Sequence, residues 1–308
     1  MSIIKSAFRV LRFGSAKNQL FSLESKTCRA FSVCNKLRQD ASDANASKIN
    51  FYVDENKEKG YAILKLNKGP VNSLNLEFLT ELNIQLEKFE ESKEIKGVIL
   101  TSSIPNIFSA GLDIMEMYQI KQDRGSQFWT ALQETWIKLY GSNKIYIAAI
   151  NGHSPAGGCL LSISCDYRIM SKGPYKIGLN ETLLGIKAPF WFRDTMINTI
   201  GYRETEKALQ LGKLYSSEEA LAVNLVDELA DSKDLITKAE EQMSKWCAIP
   251  TVARELTKSS MRRDTLSKLI AQREADTQSF IEFTQRDSIQ KSLRMYLESL
   301  KKPKKSSA

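Results

Sequence analysis

The apolar patterning of this 308-residue chain predicts an α/β fold with a helical C-terminal third. Three observations carry that expectation. Compact or alternating apolar runs at 50–53, 61–66, 97–101, 146–150 and 166–170 read as strands. Helical periodicities lie between them, and after about residue 187 the strand signals fade while helical ones continue.

Taken in order, residues 1–38 hold eight basic groups against the single acid Glu24, are rich in Ser and Phe, and lack the continuous apolar run of a secretory signal. That composition reads as a mitochondrial transit peptide, with a plain basic tail as the alternative. Arg29-Ala30-Phe31-Ser32 resembles a matrix-processing site, which would start the mature chain near Ser32 or Val33. The small polar stretch 39–48 reads as a linker, and 49–200 as the α/β core. Within it, a helix over 76–89 is predicted from Leu76, Phe78, Leu79, Leu82, Ile84, Leu86 and Phe89, mostly three or four residues apart. Further helices are expected over 128–140 and 157–165. Residues 201–300 read as a helical region, preceded by a helix over 191–200 and containing helices at 205–211, 217–223, 233–246, 252–262 and 276–300. The tail 301–308, with Lys301, Lys302, Lys304 and Lys305, reads as a solvated terminus.

Composition excludes several classes of function. The net charge of +8 comes from 44 basic and 36 acidic groups, yet eight of the former and one of the latter fall in 1–38, leaving 36 against 35. A nearly neutral body argues against nucleic acid as a partner. The run Ile145-Tyr146-Ile147-Ala148-Ala149-Ile150 is far short of the roughly 20 apolar residues a bilayer span needs, so no membrane span is expected. Cys159, Cys165 and Cys247, outside the leader that holds Cys28 and Cys34, lie in apolar surroundings and read as reduced and buried. His153 is the only histidine, and no metal-ligand spacing appears, so no metal site is expected. A phosphate loop of the P-loop or Rossmann kind is also missing from the sequence.

Two small-residue corners stand out instead. Phe108-Ser109-Ala110-Gly111-Leu112-Asp113 follows the strand at 97–101, and Gly157-Gly158, 44 residues after Asp113, follows the strand ending at Ile150. Each joins a strand to a turn that opens a helix, where free N–H groups point outward, and two such turns facing each other could bind one developing oxyanion. Glu181, in Leu179-Asn180-Glu181-Thr182-Leu183-Leu184, has two readings: a base desolvated by apolar neighbours, or a helix-start acid in a solvated turn. Asp113 reads as a helix cap rather than a second acid, His153 as a loop brace, and Asn180 as a lesser candidate for orienting Glu181 or touching a ligand.

Phe-Ser-Ala-Gly-Leu-Asp at 108–113, Pro-Ala-Gly-Gly-Cys at 155–159, Cys-Asp-Tyr-Arg at 165–168 and Gly-Leu-Asn-Glu at 178–181 together resemble the enoyl-CoA hydratase/isomerase (crotonase) superfamily. Its isomerase branch is the narrower match, on Pro-Val-Asn-Ser-Leu at 70–74, Leu-Gly-Ile at 184–186, Ala-Pro-Phe-Trp at 188–191 and Asp-Ser-Ile-Gln-Lys-Ser-Leu at 287–293. The shared order extends over 49–300. The resemblance implies a crotonase-like spiral of ββα units with a helical C-terminal region, and a homotrimer, sometimes stacked as a hexamer. It implies an acyl-CoA substrate whose double bond moves from C3 to C2 during β-oxidation in the mitochondrial matrix, with no separate cofactor because coenzyme A is part of the substrate. By motif, Glu181 becomes the catalytic base, and the N–H groups of Ala110 and Gly157 the oxyanion hole. Ala110, Gly111, Leu112, Asp113, Ile114, Gly157 and Asn180 become substrate-binding, and Lys68 is expected to approach the CoA phosphates. Leu160 stands where the hydratase pattern has a second glutamate, which disfavours water addition. A hydratase of the same fold, or a non-catalytic or RNA-binding scaffold, are the alternatives.

Overall fold

Long strands return to one sheet because the chain crosses back through a helix after most of them, as parallel pairing requires. In the computed structural model, which describes residues 49–301, β1 (Phe51–Asn56) and β2 (Tyr61–Leu66) form an antiparallel pair. After β2 come the short β3 (Ser73–Leu74) and the helix α1 (Leu76–Glu91). Then β4 (Gly97–Ser102) leads through β5 (Asn106–Ile107) and β6 (Gly111–Leu112) to α2 (Gln122–Gly141). In the next turn β7 (Ile145–Ile150) leads through β8 (Gly152–Pro155) to α3 (Gly157–Ser164). Finally β9 (Tyr167–Ser171) leads to β10 (Ile177–Gly178) and the 3-10 turn Glu181–Leu184. A long strand, short strand and helix thus repeat, which is the expected spiral of ββα units.

The long strands make a six-stranded sheet in the order β1-β2-β4-β7-β9-β11, parallel beyond β2, where β11 is Glu228–Ala230. The short strands make a second layer: β8 lies between β5 and β10, and β3 pairs with β6. Every residue of β7 is buried, as its unbroken Ile-Tyr-Ile-Ala-Ala-Ile run requires of a strand covered on both faces. In α1, the side chain of Asn75 accepts from the Phe78 N–H and caps the helix, while Phe78, Leu79, Leu82, Leu86 and Phe89 enter the core.

Beyond β10 the elements among the described residues are helical but for β11: α4 (Phe190–Ile200), α5 (Tyr202–Leu211), α6 (Ser217–Ala222), α7 (Leu235–Cys247), α8 (Thr251–Thr284) and α9 (Asp287–Lys301). The structure departs from the sequence reading in three places. The short strands were not anticipated, since two to four residues carry no periodicity. Strand β11, within the region read as helical, pairs with β9 and completes the large sheet. The helices expected at 252–262 and 276–300 divide elsewhere: α8 runs 34 residues without interruption and the break falls at Gln285-Arg286. The middle of α8 has a weak apolar stripe but neither Gly nor Pro, so nothing ends it. Ionic contacts dock its first half: the Asp166 carboxylate accepts from Lys258 Nζ at 2.8 Å and from Arg262 Nη2 at 3.0 Å. Its second half is held by Asp276, whose Oδ2 accepts from Trp129 Nε1 (2.7 Å), Gln133 Nε2 (2.9 Å) and Trp191 Nε1 (3.2 Å). The readings made for residues 1–38 and 39–48 and for the tail beyond 301 lie outside the described residues.

Candidate active site

The two corners meet through a glycine contact. Gly111 has φ +87°, a conformation that disfavours a side chain, and a Cβ there would stand 2.9 Å from the Gly157 nitrogen. Gly157 in turn opens α3, and a Cβ on it would lie 3.2 Å from the Leu112 nitrogen. The first N–H groups of a helix have no intrahelical acceptor, so Gly157 presents a donor beside the β6 backbone. Ala156, just before it, has φ +50°, a costly conformation for alanine, and its N–H donates to the Gly178 carbonyl at 2.8 Å. That bond holds the start of α3 against the end of β10, three residues before Glu181.

The donor expected at Ala110 is already engaged: its N–H donates to the Val71 carbonyl at 2.9 Å. The available amide is two residues on. Leu74 is registered opposite Leu112 in the parallel β3–β6 pair, and Asp113 N–H donates to the Leu74 carbonyl at 3.0 Å. In such a ladder a residue bonds to the neighbours of its partner, so the N–H of Leu112 points away from β3. Leu112 and Gly157 are therefore the neighbouring amides that can act as a pair of donors, while the Ala110 N–H serves the frame.

Glu181 begins the 3-10 turn Glu181–Leu184, as a helix-start acid would, but it is only 7% exposed. Both carboxylate oxygens are buried, and neither has a hydrogen-bond partner among the described residues. Burial raises its pKa to about 7, offset only in part by its own backbone N–H. No charged neighbour contributes to that shift. The Cys159 thiol on α3, fully buried, is pushed up by burial first and by the Glu181 charge second, which places α3 beside the carboxylate. Leu160, the next residue, is 1% exposed. Leu160 supplies no second acid, and Glu181 is desolvated by burial alone.

The remaining candidates divide. Asp113 caps the 3-10 turn Ile114–Glu116: Oδ1 accepts from the Met115 N–H at 3.0 Å and Oδ2 from Ser73 Oγ at 3.2 Å. Ile114 is the half-buried first residue of that turn. His153 braces a loop: Nδ1 accepts from the Lys176 N–H, and its carbonyl accepts from Phe108 and Ser109. Asn180 caps nothing with its side chain, and its Oδ1 is buried without a partner. Lys68 donates to the Ser73 carbonyl at 2.8 Å, and desolvation lowers its pKa. Cys159 and Cys165 are buried as expected, whereas Cys247 is half-buried because it ends α7. Two features escaped sequence reading, the Leu112 amide and the position of Cys159, since strand register and helix facing leave no mark in composition.

This geometry can polarise a carbonyl with two amides and move a proton with one carboxylate. A profile of the enoyl-CoA hydratase/isomerase family matches residues 56–306. The chain is 57% identical over 246 residues to mouse enoyl-CoA delta isomerase 1, mitochondrial, covering 80% of this chain and 85% of that protein. It is 52% identical over 253 residues to the human protein of the same name, covering 82% and 84%. A short-chain-enoyl-CoA hydratase of Clostridium acetobutylicum is 29% identical over 208 residues, or 67% of this chain and 79% of that one. The fold superposes on the crystal structure of human mitochondrial delta3-delta2-enoyl-CoA isomerase with a TM-score of 0.81 at 52% identity, over 82% of this chain and 98% of that one.

Proposed function

The chain belongs to the enoyl-CoA hydratase/isomerase family, and from that membership we propose that it is an enoyl-CoA delta isomerase of fatty-acid metabolism, converting 3-enoyl-CoA to 2-trans-enoyl-CoA by a proton shuttle on Glu181. The observation that carries the mechanism is the buried, unpartnered carboxylate of Glu181 with its pKa near 7. A buried base that no other residue hydrogen-bonds is poised to take a proton at neutral pH.

The N–H groups of Leu112 and Gly157 receive the thioester oxygen. Glu181 removes a proton from C2, and the electron pair of that C–H bond moves into the thioester, placing negative charge on its oxygen. The resulting dienolate shares its charge along C2 to C4, so the same carboxyl group, now neutral, can return the proton at C4. The bond between C2 and C3 becomes double as that between C3 and C4 becomes single. Atoms and electrons balance without a redox partner, so no separate cofactor or metal enters. Leu160 keeps a second acid, and the water it would position, out of the shuttle. That residue argues against the hydratase alternative, and the nearly neutral body argues against an RNA-binding scaffold.

Relatives at 52% to 57% identity are named mitochondrial, and the basic leader agrees with matrix delivery. The assembly is a homotrimer, with stacking to a hexamer as its extension. Purified protein should isomerise 3-hexenoyl-CoA without added metal or nucleotide while hydrating crotonyl-CoA feebly. Glu181→Gln should lose at least about a hundredfold in kcat. Full activity in that variant removes the proposed base.

A further inference from the structure

The segment 287–293 has no part in the chemistry above, yet α9 touches both of its halves. Ile289 and Leu293, one helical turn apart, are buried in the core. Between them, Gln290 uses its whole amide on backbone groups. Its Oε1 accepts from the Gln119 N–H at 2.8 Å, while Nε2 donates to the carbonyls of Met117 (2.9 Å) and Thr284 (2.8 Å). Met117 closes the 3-10 turn that Asp113 opens, directly after the Leu112 amide. Gln119 has φ +52°, a strained conformation for glutamine. On its other side, α9 packs against the turn Glu181–Leu184. A Cβ on Gly185, which ends that turn with φ +72°, would stand 3.2 Å from Ser292 Oγ.

One helix therefore bridges the segment after the Leu112 donor and the turn that carries the base. Packing alone does not fix the first of these contacts. A cavity of about 450 Å³ lies there, lined by Tyr118, Ile120, Gln285, Asp287, Lys291 and Arg294 together with Gln119 and Gln290. Where apolar contact is incomplete, hydrogen bonds set the spacing. Two of the three bonds from Gln290 span more than 170 residues of chain, so this is not a local brace of α9 itself.

We propose that Gln290 is a positioning residue for the isomerisation, holding α9 as a strap that sets the oxyanion donor relative to Glu181 and keeps water from the carboxylate. The proposal rests on the reaction assigned above. Only a side chain that both donates and accepts can serve, since glutamate lacks the donors and methionine lacks them too, with only a weak sulfur acceptor. Charged groups do not compete for the effect on Glu181. Within α5, which also packs on its turn, Arg203 pairs with Glu206 and Lys207 with Glu204. From α9, Asp287, Lys291 and Arg294 line the cavity, and from α3 the Cys159 thiol stays neutral.

The test compares wild type, Gln290→Met, Gln290→Glu and a control, Leu269→Ala, which hollows the core on α8 and belongs to neither turn nor α9. Steady-state rates with 3-hexenoyl-CoA are measured from pH 5 to 9, with folding checked by circular dichroism. Gln290→Met should lower kcat about tenfold or more with KM changed less than about threefold. Its acid limb should move down by about one pH unit as water reaches Glu181. Gln290→Glu, which keeps the acceptor, should fall between, and Leu269→Ala should lose thermal stability without moving the limb. Wild-type kcat and limb in folded Gln290 variants overturn the proposal. So does the same shift in Leu269→Ala, or failure of both Gln290 variants to fold, since each marks a purely structural residue. An inactive wild type would instead sink the assigned reaction.

Discussion

A carboxylate with both oxygens buried and unpartnered is costly to the fold, and the proton shuttle proposed for Glu181 would put that cost to use. Its pKa near 7 leaves the base form dominant only above neutrality, so kcat/KM is expected to rise with pH through about 7 and level off above it. A pH profile flat from 5.5 to 8.5 would count against Glu181. The same shift governs stability. A carboxyl whose folded pKa lies above the unfolded 4.5 holds more protons folded than unfolded between the two values, so its contribution is lost as pH rises from about 4.5 to 7. Glu181→Gln should therefore stabilise the protein by about 3 kcal/mol at pH 8 and hardly at all at pH 4.5, read as unfolding midpoints. Equal effects at both pH values would show that ionisation is not the cause. The identity of Glu181 was legible from its motif, but its burial was not, because local sequence served a solvated turn equally well. Ala110 and Leu112 illustrate the same limit. Two residues of one motif differ because register bonds the Ala110 N–H to the Val71 carbonyl and leaves the Leu112 N–H facing away from β3.

Secondary elements were legible where they were long and periodic. The strands at 61–66 and 97–101 and the helix at 76–89 emerge from apolar spacing, whereas β3, β5, β6, β8 and β10 exist because neighbouring backbone offers them partners. Those short strands matter most to the site, since β6 and β8 deliver the two corners. Helix α8 shows the converse, a single rod where the apolar pattern lapses, kept in place by specific polar contacts. Asp166 is nearly buried and accepts from Lys258, Arg262 and the Tyr146 N–H, tying α8 to the sheet. Its truncation in Asp166→Ala strands two largely buried cations, and a loss of about 3 kcal/mol is expected from urea denaturation at unchanged m-value. A loss below about 1 kcal/mol would mean that apolar packing alone docks the helix.

At the scale of the whole chain, charge and address separate from catalysis. Residues 1–38 carry nearly all of the excess positive charge, so protein lacking them should give no gel shift with RNA or DNA at 150 mM salt. Intact mass of protein recovered from mitochondria should place its first residue near Ser32 or Val33. Sedimentation should give three chain masses, or six. The sequence by itself determined the fold class and the family and singled out Glu181 as the candidate base, because periodicity and ordered motifs are properties of the chain read in one dimension. Only the tertiary structure decided which amides are free, how dry Glu181 is, where α8 ends and what Gln290 holds. Hydrogen-bond direction and desolvation arise from segments brought together from up to 173 residues away, and no local stretch records them.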